Sequence, residues 1–148
     1  MLMILVRAPL RISFLGGGSD LKQVYEKITG RVLSVTIDKY VYLAINRPAF
    51  FDTVSVRYSE TETVPHAKDL KHPLFREALL DFGIKNGIEI GSFASVPAQT
   101  GLGSSSSFSV ALAKGLAAFQ GRKISKEKAA RFASNLEINI LGSPIGKQ

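Results

Sequence analysis

The sequence predicts an α+β domain, a mostly antiparallel sheet with helices packed on one face. Three observations carry that expectation. Short β-branched and aromatic runs crowd the first part of the chain, whereas helical periodicity dominates its end. No internal repeat, linker or composition break divides it. Its 148 residues, 45% hydrophobic and 21% charged, suit one globular core of ordinary domain size.

Residues 2–6 and 10–14 read as two strands around a bend at Ala8-Pro9. Ser19 is placed to cap a helix whose Leu21, Val24, Tyr25 and Ile28 share one face, with Gly30 as its stop. Residues 31–37 and 40–45 read as a hairpin turning at Asp38-Lys39. Residues 54–58 alternate as a half-buried strand. Pro73 suits the first turn of a helix that turns Leu74, Phe75, Ala78, Leu79 and Phe82 inward and ends at Gly83. A strand over 88–96 and a long helix over 104–119 follow. A last helix over 125–141 carries Ala129, Phe132, Ala133, Leu136 and Ile140 as its inner stripe.

Composition excludes several functions. With no cysteine there is no disulfide framework, thiolate zinc site or cysteine nucleophile. The apolar start, residues 1–6, meets Arg7 too soon for a signal peptide or a membrane span, so a cytoplasmic protein is expected and no membrane partner. The formal charge of +7 is dispersed, its longest basic run being Arg122-Lys123. That fits a solvated surface, or a field drawing in phosphate-bearing substrates, better than an RNA-binding module.

The segment richest in chemistry is Pro97-Ala98-Gln99-Thr100-Gly101-Leu102-Gly103-Ser104-Ser105-Ser106-Ser107-Phe108, between a strand and a helix. Glycines leave room for backbone N–H groups to converge on an anion. A helix start adds unpaired N–H groups and the positive end of the dipole. The serine hydroxyls can bond phosphate or ligate Mg²⁺. No lysine follows in Walker spacing. A linker is disfavoured by the core-type residues on both sides. A second cluster, Arg11 with Gly16-Gly17-Gly18-Ser19-Asp20, sets a charge inside an apolar strand before a glycine turn. Asp20 reads equally as a helix-dipole charge or a ligand contact. Glu137 alone reads as a solvated helix residue, and Gly142-Ser143-Pro144-Ile145-Gly146 as a turn-rich loop.

Together these three segments resemble the GHMP kinases. The loop is similar to that family's P-x-x-x-G-L-G-S-S-A, and Ala8-Pro9-x-Arg11 through Asp20 to the galactokinase A-P-G-R-x-x-x-x-G-E-H-T-D. Arg11 to Leu21, Ile37-Asp38-Lys39-Tyr40 and Gly142-x-Pro144-Ile145-Gly146-Lys147-Gln148 look most like the D-glycero-D-manno-heptose 7-phosphate kinases. The resemblance implies the ribosomal-protein-like N-terminal (ATP-binding) domain of that family over residues 1–148, truncated near its end, with the C-terminal domain absent.

It also implies roles. Gly101, Leu102, Gly103, Ser104, Ser105 and Ser106 would wrap the ATP phosphates. Ser105 and Glu137 would hold Mg²⁺, Arg11 would stand beside the reacting hydroxyl as a catalytic residue, and Gly17, Gly18 and Asp20 would meet the sugar. Gly17-Gly18 replaces Glu-His, which argues against galactose and for a bulkier or phosphorylated sugar such as a heptose 7-phosphate, phosphorylated at its anomeric hydroxyl. The family's catalytic aspartate would fall on or just after Gln148, so this chain alone is expected to be inactive. A nucleotide-binding domain without catalysis, or a fucose, galactose or mevalonate type of acceptor, are the alternatives.

Overall fold

The computed structural model describes residues 3–97 and 100–146. Its strands β1 (Ile4–Leu15), β2 (Leu33–Asn46), β3 (Val54–Arg57), β4 (Thr61–Val64) and β5 (Ile88–Ala94) form one sheet in the order β1-β2-β5-β3-β4. β3 and β5 run parallel, and the other neighbours are antiparallel. The helices are α1 (Lys22–Tyr25), α2 (Pro73–Asp81), α3 (Ser104–Phe119) and α4 (Lys126–Ser134), the last continuing as a π-helical segment, Asn135–Ile140. The α+β expectation holds. Among the described residues no helix is long and apolar enough to cross a membrane.

One face of the sheet carries the core. Leu43, Ile45, Val54, Val56, Ile88 and Ile90 meet Phe75, Leu79, Leu112, Leu116 and Leu136 from the helices. α3 lies close on β1 and β2 at Gly115, where a Cβ would stand 2.5 Å from Ile45 Cδ1 and 3.3 Å from Val6 Cγ2. The opposite face is bare, with Leu5, Tyr42 and Phe93 exposed.

Several expected elements differ. Residues 4–15 form a single strand, and the bend foreseen at Ala8-Pro9 is a register shift between Pro9 and Arg11. Pro9 is tolerated because β1 is an edge strand. No hairpin turns at Asp38-Lys39. β2 continues through that pair as an irregularity in its pairing with β1, because the pair lacks the glycine or asparagine a tight turn needs and β1 continues as its partner on both sides. β4 was not expected at all.

The helix expected after Ser19 is a 3₁₀ turn, Gly17–Asp20, followed by one turn of α1, and Ile28 is exposed. Ser19 caps nothing. Its hydroxyl lies 2.7 Å from the Gly16 carbonyl and 3.0 Å from the Arg31 carbonyl, and it accepts the Arg31 N–H at 3.1 Å, pinning the loop to β2's start. β5 ends two residues earlier than expected, at Ala94.

The expected helix at the end begins properly, with Ser125 accepting the Lys128 N–H. Its last turns then loosen to i→i+5 bonding. Each residue there turns through a smaller angle than in an α-helix. Ile140 therefore leaves the inner stripe and is exposed, while Glu137 turns inward and is only 3% exposed. Reading Glu137 as a solvated residue and Ile140 as core was wrong for that reason.

Candidate functional site

β5 delivers the chain to a loop that opens α3. Gly101 (φ +73°) and Gly103 (φ +74°) both take the left-handed conformation that glycine adopts without strain. No side chain caps α3, and residues 104–106 of its first turn line the principal cleft. Arg11 on β1 holds this loop. Its backbone N–H donates to the Leu102 carbonyl at 3.0 Å, and its Nη1 donates to the Gly101 carbonyl at 3.0 Å. The guanidinium lies so near Gly103 that a Cβ there would stand 2.9 Å from Nη1. Arg11 Nε is buried without a partner among the described residues. An unpaired donor of a cation beside an uncapped helix start favours an anion.

The cleft has a volume of about 990 Å³. Arg11, Gly17, Asp20, Gly101, Gly103, Ser104, Ser105 and Ser106 all line it. Gly18 and Leu102 are not among its lining residues. Ala98 and Gln99 of the loop, and Lys147 and Gln148 at the end, lie outside the described residues. Gly17 and Asp20 line the cleft too, and a methyl on Gly146 would collide with the Asp20 carboxylate. The loop 142–146 thus closes directly onto Asp20.

Part of the lining is aromatic. Tyr58, His72, Phe75 and Phe108 pack on one another, with ring centroids 4.5 Å apart for Tyr58–His72 and 5.2 Å for Phe75–Phe108. Buried Glu62 fixes this wall. It accepts hydrogen bonds from the Tyr58 hydroxyl at 2.9 Å and from the N–H groups of Lys71 at 2.6 Å and His72 at 3.1 Å. Burial opposes ionisation of Glu62, but these donors outweigh it and hold the carboxyl below its ordinary pKa. Burial, then the Glu62 carboxylate, push the Tyr58 hydroxyl up to about 12. Burial lowers His72 despite the nearby carboxylate, so its ring is neutral at pH 7.

Glu137 meets α3 from below the loop. Ser105 Oγ donates to its Oε2 at 3.0 Å, and Ser109 Oγ donates to Oε1. No Lys or Arg pairs with this buried carboxylate among the described residues. Such a charge calls for a cation. One carboxylate and a hydroxyl are hard oxygen donors of the kind Mg²⁺ takes alongside phosphate oxygens. The residues present therefore fit the ion. Among the described residues no cluster of three or more acidic, histidine or cysteine side chains could bind one unaided.

Sequence reasoning missed Ser109, Tyr58, Glu62 and His72. Ser109 stands four residues after Ser105, the spacing that shares a helix face. For Glu62 the one available signal was a charged residue between two β-branched threonines.

The family model described as GHMP kinases N terminal domain matches residues 68–148. The chain belongs to the GHMP kinase family. A curated GHMP-type relative, the D-glycero-alpha-D-manno-heptose 7-phosphate kinase of Campylobacter jejuni, is 27% identical over 156 residues, which cover 98% of this chain and 46% of the relative. The crystal structure of a D-glycero-D-manno-heptose 1-phosphate kinase from Bacteroides thetaiotaomicron superposes with a TM-score of 0.87 at 23% identity, covering 99% of this chain and 51% of that one. Lactococcus lactis galactokinase complexed with galactose superposes with a TM-score of 0.77 at 16% identity, over 98% of this chain and 40% of that one. These structures share the GHMP N-terminal fold. The chain spans about half the length of the curated relative it matches.

Proposed function

We propose that this GHMP kinase chain supplies the nucleotide site of a sugar kinase that moves the γ-phosphoryl group of ATP to a sugar hydroxyl. The observation that carries the reading is one continuous cleft joining an aromatic wall, an uncapped helix start with Arg11, and Asp20. The adenine would stack against the wall of Tyr58 and His72. Residues 101–106 would take the phosphates on backbone N–H groups and serine hydroxyls. Ser105 and Glu137 would hold Mg²⁺, which when bound neutralises charge on the phosphates.

Phosphoryl transfer needs positioning and electrostatic stabilisation more than covalent help. Arg11 would shape the loop and present guanidinium N–H donors to charge building on the transferred group. Asp20, with Gly17 and Gly18 beside it, would accept hydrogen bonds from the acceptor. The glycine pair leaves room where galactokinases carry larger residues. We take the acceptor to be a heptose 7-phosphate, as the curated relative's name suggests, and the reacting group to be its anomeric hydroxyl.

Calorimetric titration of the 148-residue chain with ATP and Mg²⁺ tests the nucleotide site. Saturable binding that weakens about tenfold or more in Glu137→Gln is expected, since losing a direct carboxylate ligand costs at least what losing a ligand's supporting group does. Binding indifferent to Mg²⁺ and to this substitution would refute it. Transfer measured by phosphorus NMR with heptose 7-phosphate is expected to be absent for the chain alone, which spans about half the length of the curated relative. Saturation-transfer NMR in the presence of ADP should rank heptose 7-phosphate above galactose and mevalonate.

A further inference from the structure

We propose that Ser109 is a positioning residue for Glu137: it holds one carboxylate oxygen so that the other faces Ser105 and a divalent cation. This rests on the nucleotide–cation reading above. Ser109 is fully buried, in a helix whose neighbouring buried residues are Ala111, Leu112 and Ala113. A hydroxyl there loses its hydration and is stable only with a partner. Its partner is Glu137 Oε1.

The two serines that touch Glu137 are not equivalent. Ser105 lines the cleft and is exposed, so a ligand can compete for its hydroxyl. Ser109 lines neither the main cleft nor the smaller cavity of about 260 Å³ beside Arg11 and Glu137. It acts through the carboxylate alone. The terminal torsion of a glutamate is soft and roughly two-fold, so an untethered carboxylate would rotate. Ser109 removes that freedom at Oε1 and leaves Oε2, the oxygen bonded to Ser105, as the exchangeable one. The π-helical winding around residue 137 sets the reach of the side chain, and the hydroxyl sets its rotation.

The test uses Mn²⁺ in place of Mg²⁺, with ADP, on the 148-residue chain, free Mn²⁺ being counted by electron paramagnetic resonance. Ser109→Ala should weaken Mn²⁺ binding about tenfold, the usual loss when a ligand's supporting hydrogen bond goes. ADP affinity without metal should change less than about twofold, because Ser109 does not line the cleft. Ser109→Cys keeps the side chain's size and weakens its donor, so it should fall between the two and serves if the alanine variant does not fold. A lower melting temperature with wild-type Mn²⁺ affinity in either variant overturns the proposal, since that is what a merely structural serine would show. Glu137→Gln separates the two levels. If it too leaves Mn²⁺ binding intact, or the wild-type chain binds none, the cation reading fails and the role of Ser109 with it.

Discussion

The guanidinium of Arg11 donates to the carbonyl oxygen of Gly101 at 3.0 Å across ninety residues of sequence. An edge strand and a glycine loop are thereby tied together at the wall of one cleft. Arg11→Ala removes this bond, which involves a charged donor and is worth about 1.5–3 kcal/mol. ADP affinity measured by calorimetry should fall at least tenfold, with faster amide exchange over residues 101–106. Unchanged exchange there would mean that the loop keeps its shape without the arginine.

Gly101 and Gly103 share a positive φ but not their surroundings. A Cβ at Gly101 meets nothing within 4 Å, whereas one at Gly103 meets Arg11 Nη1 at 2.9 Å and Cζ at 3.0 Å. Gly101→Ala should cost about 1–2 kcal/mol of stability, the left-handed penalty alone. Gly103→Ala should cost more, and part of the excess should vanish when combined with Arg11→Ala. A denaturation double-mutant cycle measures that coupling.

Glu62 makes stability depend on pH with a defined sign. Its folded carboxyl titrates below the ordinary value of 4.5, so between the two values the unfolded chain binds more protons. The contribution is therefore full above about 4.5 and is lost as pH falls through the folded value. Glu62→Gln should destabilise the protein at pH 7 by about 1–3 kcal/mol, and the two stability curves should converge in acid. His72, lowered by burial, adds a similar loss that starts nearer 6.5. Tyr58, read by absorbance titration, should drop from about 12 toward 10 in the same variant while staying above it, because burial remains.

Gly146 faces Asp20 with no room for a methyl group. Gly146→Ala should push the loop 142–146 off the carboxylate and leave the nucleotide end alone. ADP affinity should stay within about twofold, while acceptor binding by NMR weakens about tenfold, in line with the sensitivity of such sites to small misplacements. Equal losses at both ends would show that the loop supports the whole cleft.

Much of this was readable in the residues themselves. Gly103 followed by a stripe of apolar residues announced α3 with both ends correct, and Pro73 announced α2. Ser105 and Glu137 were paired by resemblance, and they do meet. β4 escaped because Glu62 points inward, which inverts the usual polar-out pattern of a strand. Asp38-Lys39 looked like a turn by composition, yet pairing with β1 on both sides carries the strand through it with only a shift in register. Glu137 could not be placed from a 3.6-residue period, because the segment that carries it is wound more loosely. Ser109 looked like one more small residue in a small-residue helix. Only the carboxylate opposite gives it a task.

The contact between Arg11 and the loop also bears on how the molecule folds. A pocket whose walls lie ninety residues apart in sequence needs both of them docked before it exists. It exists only once the edge strand and the long helix have both docked, late in any pathway ruled by distant contacts. Ligand captured there would favour the complete native state over every partial one, so the melting temperature would rise with the logarithm of ligand concentration above its dissociation constant.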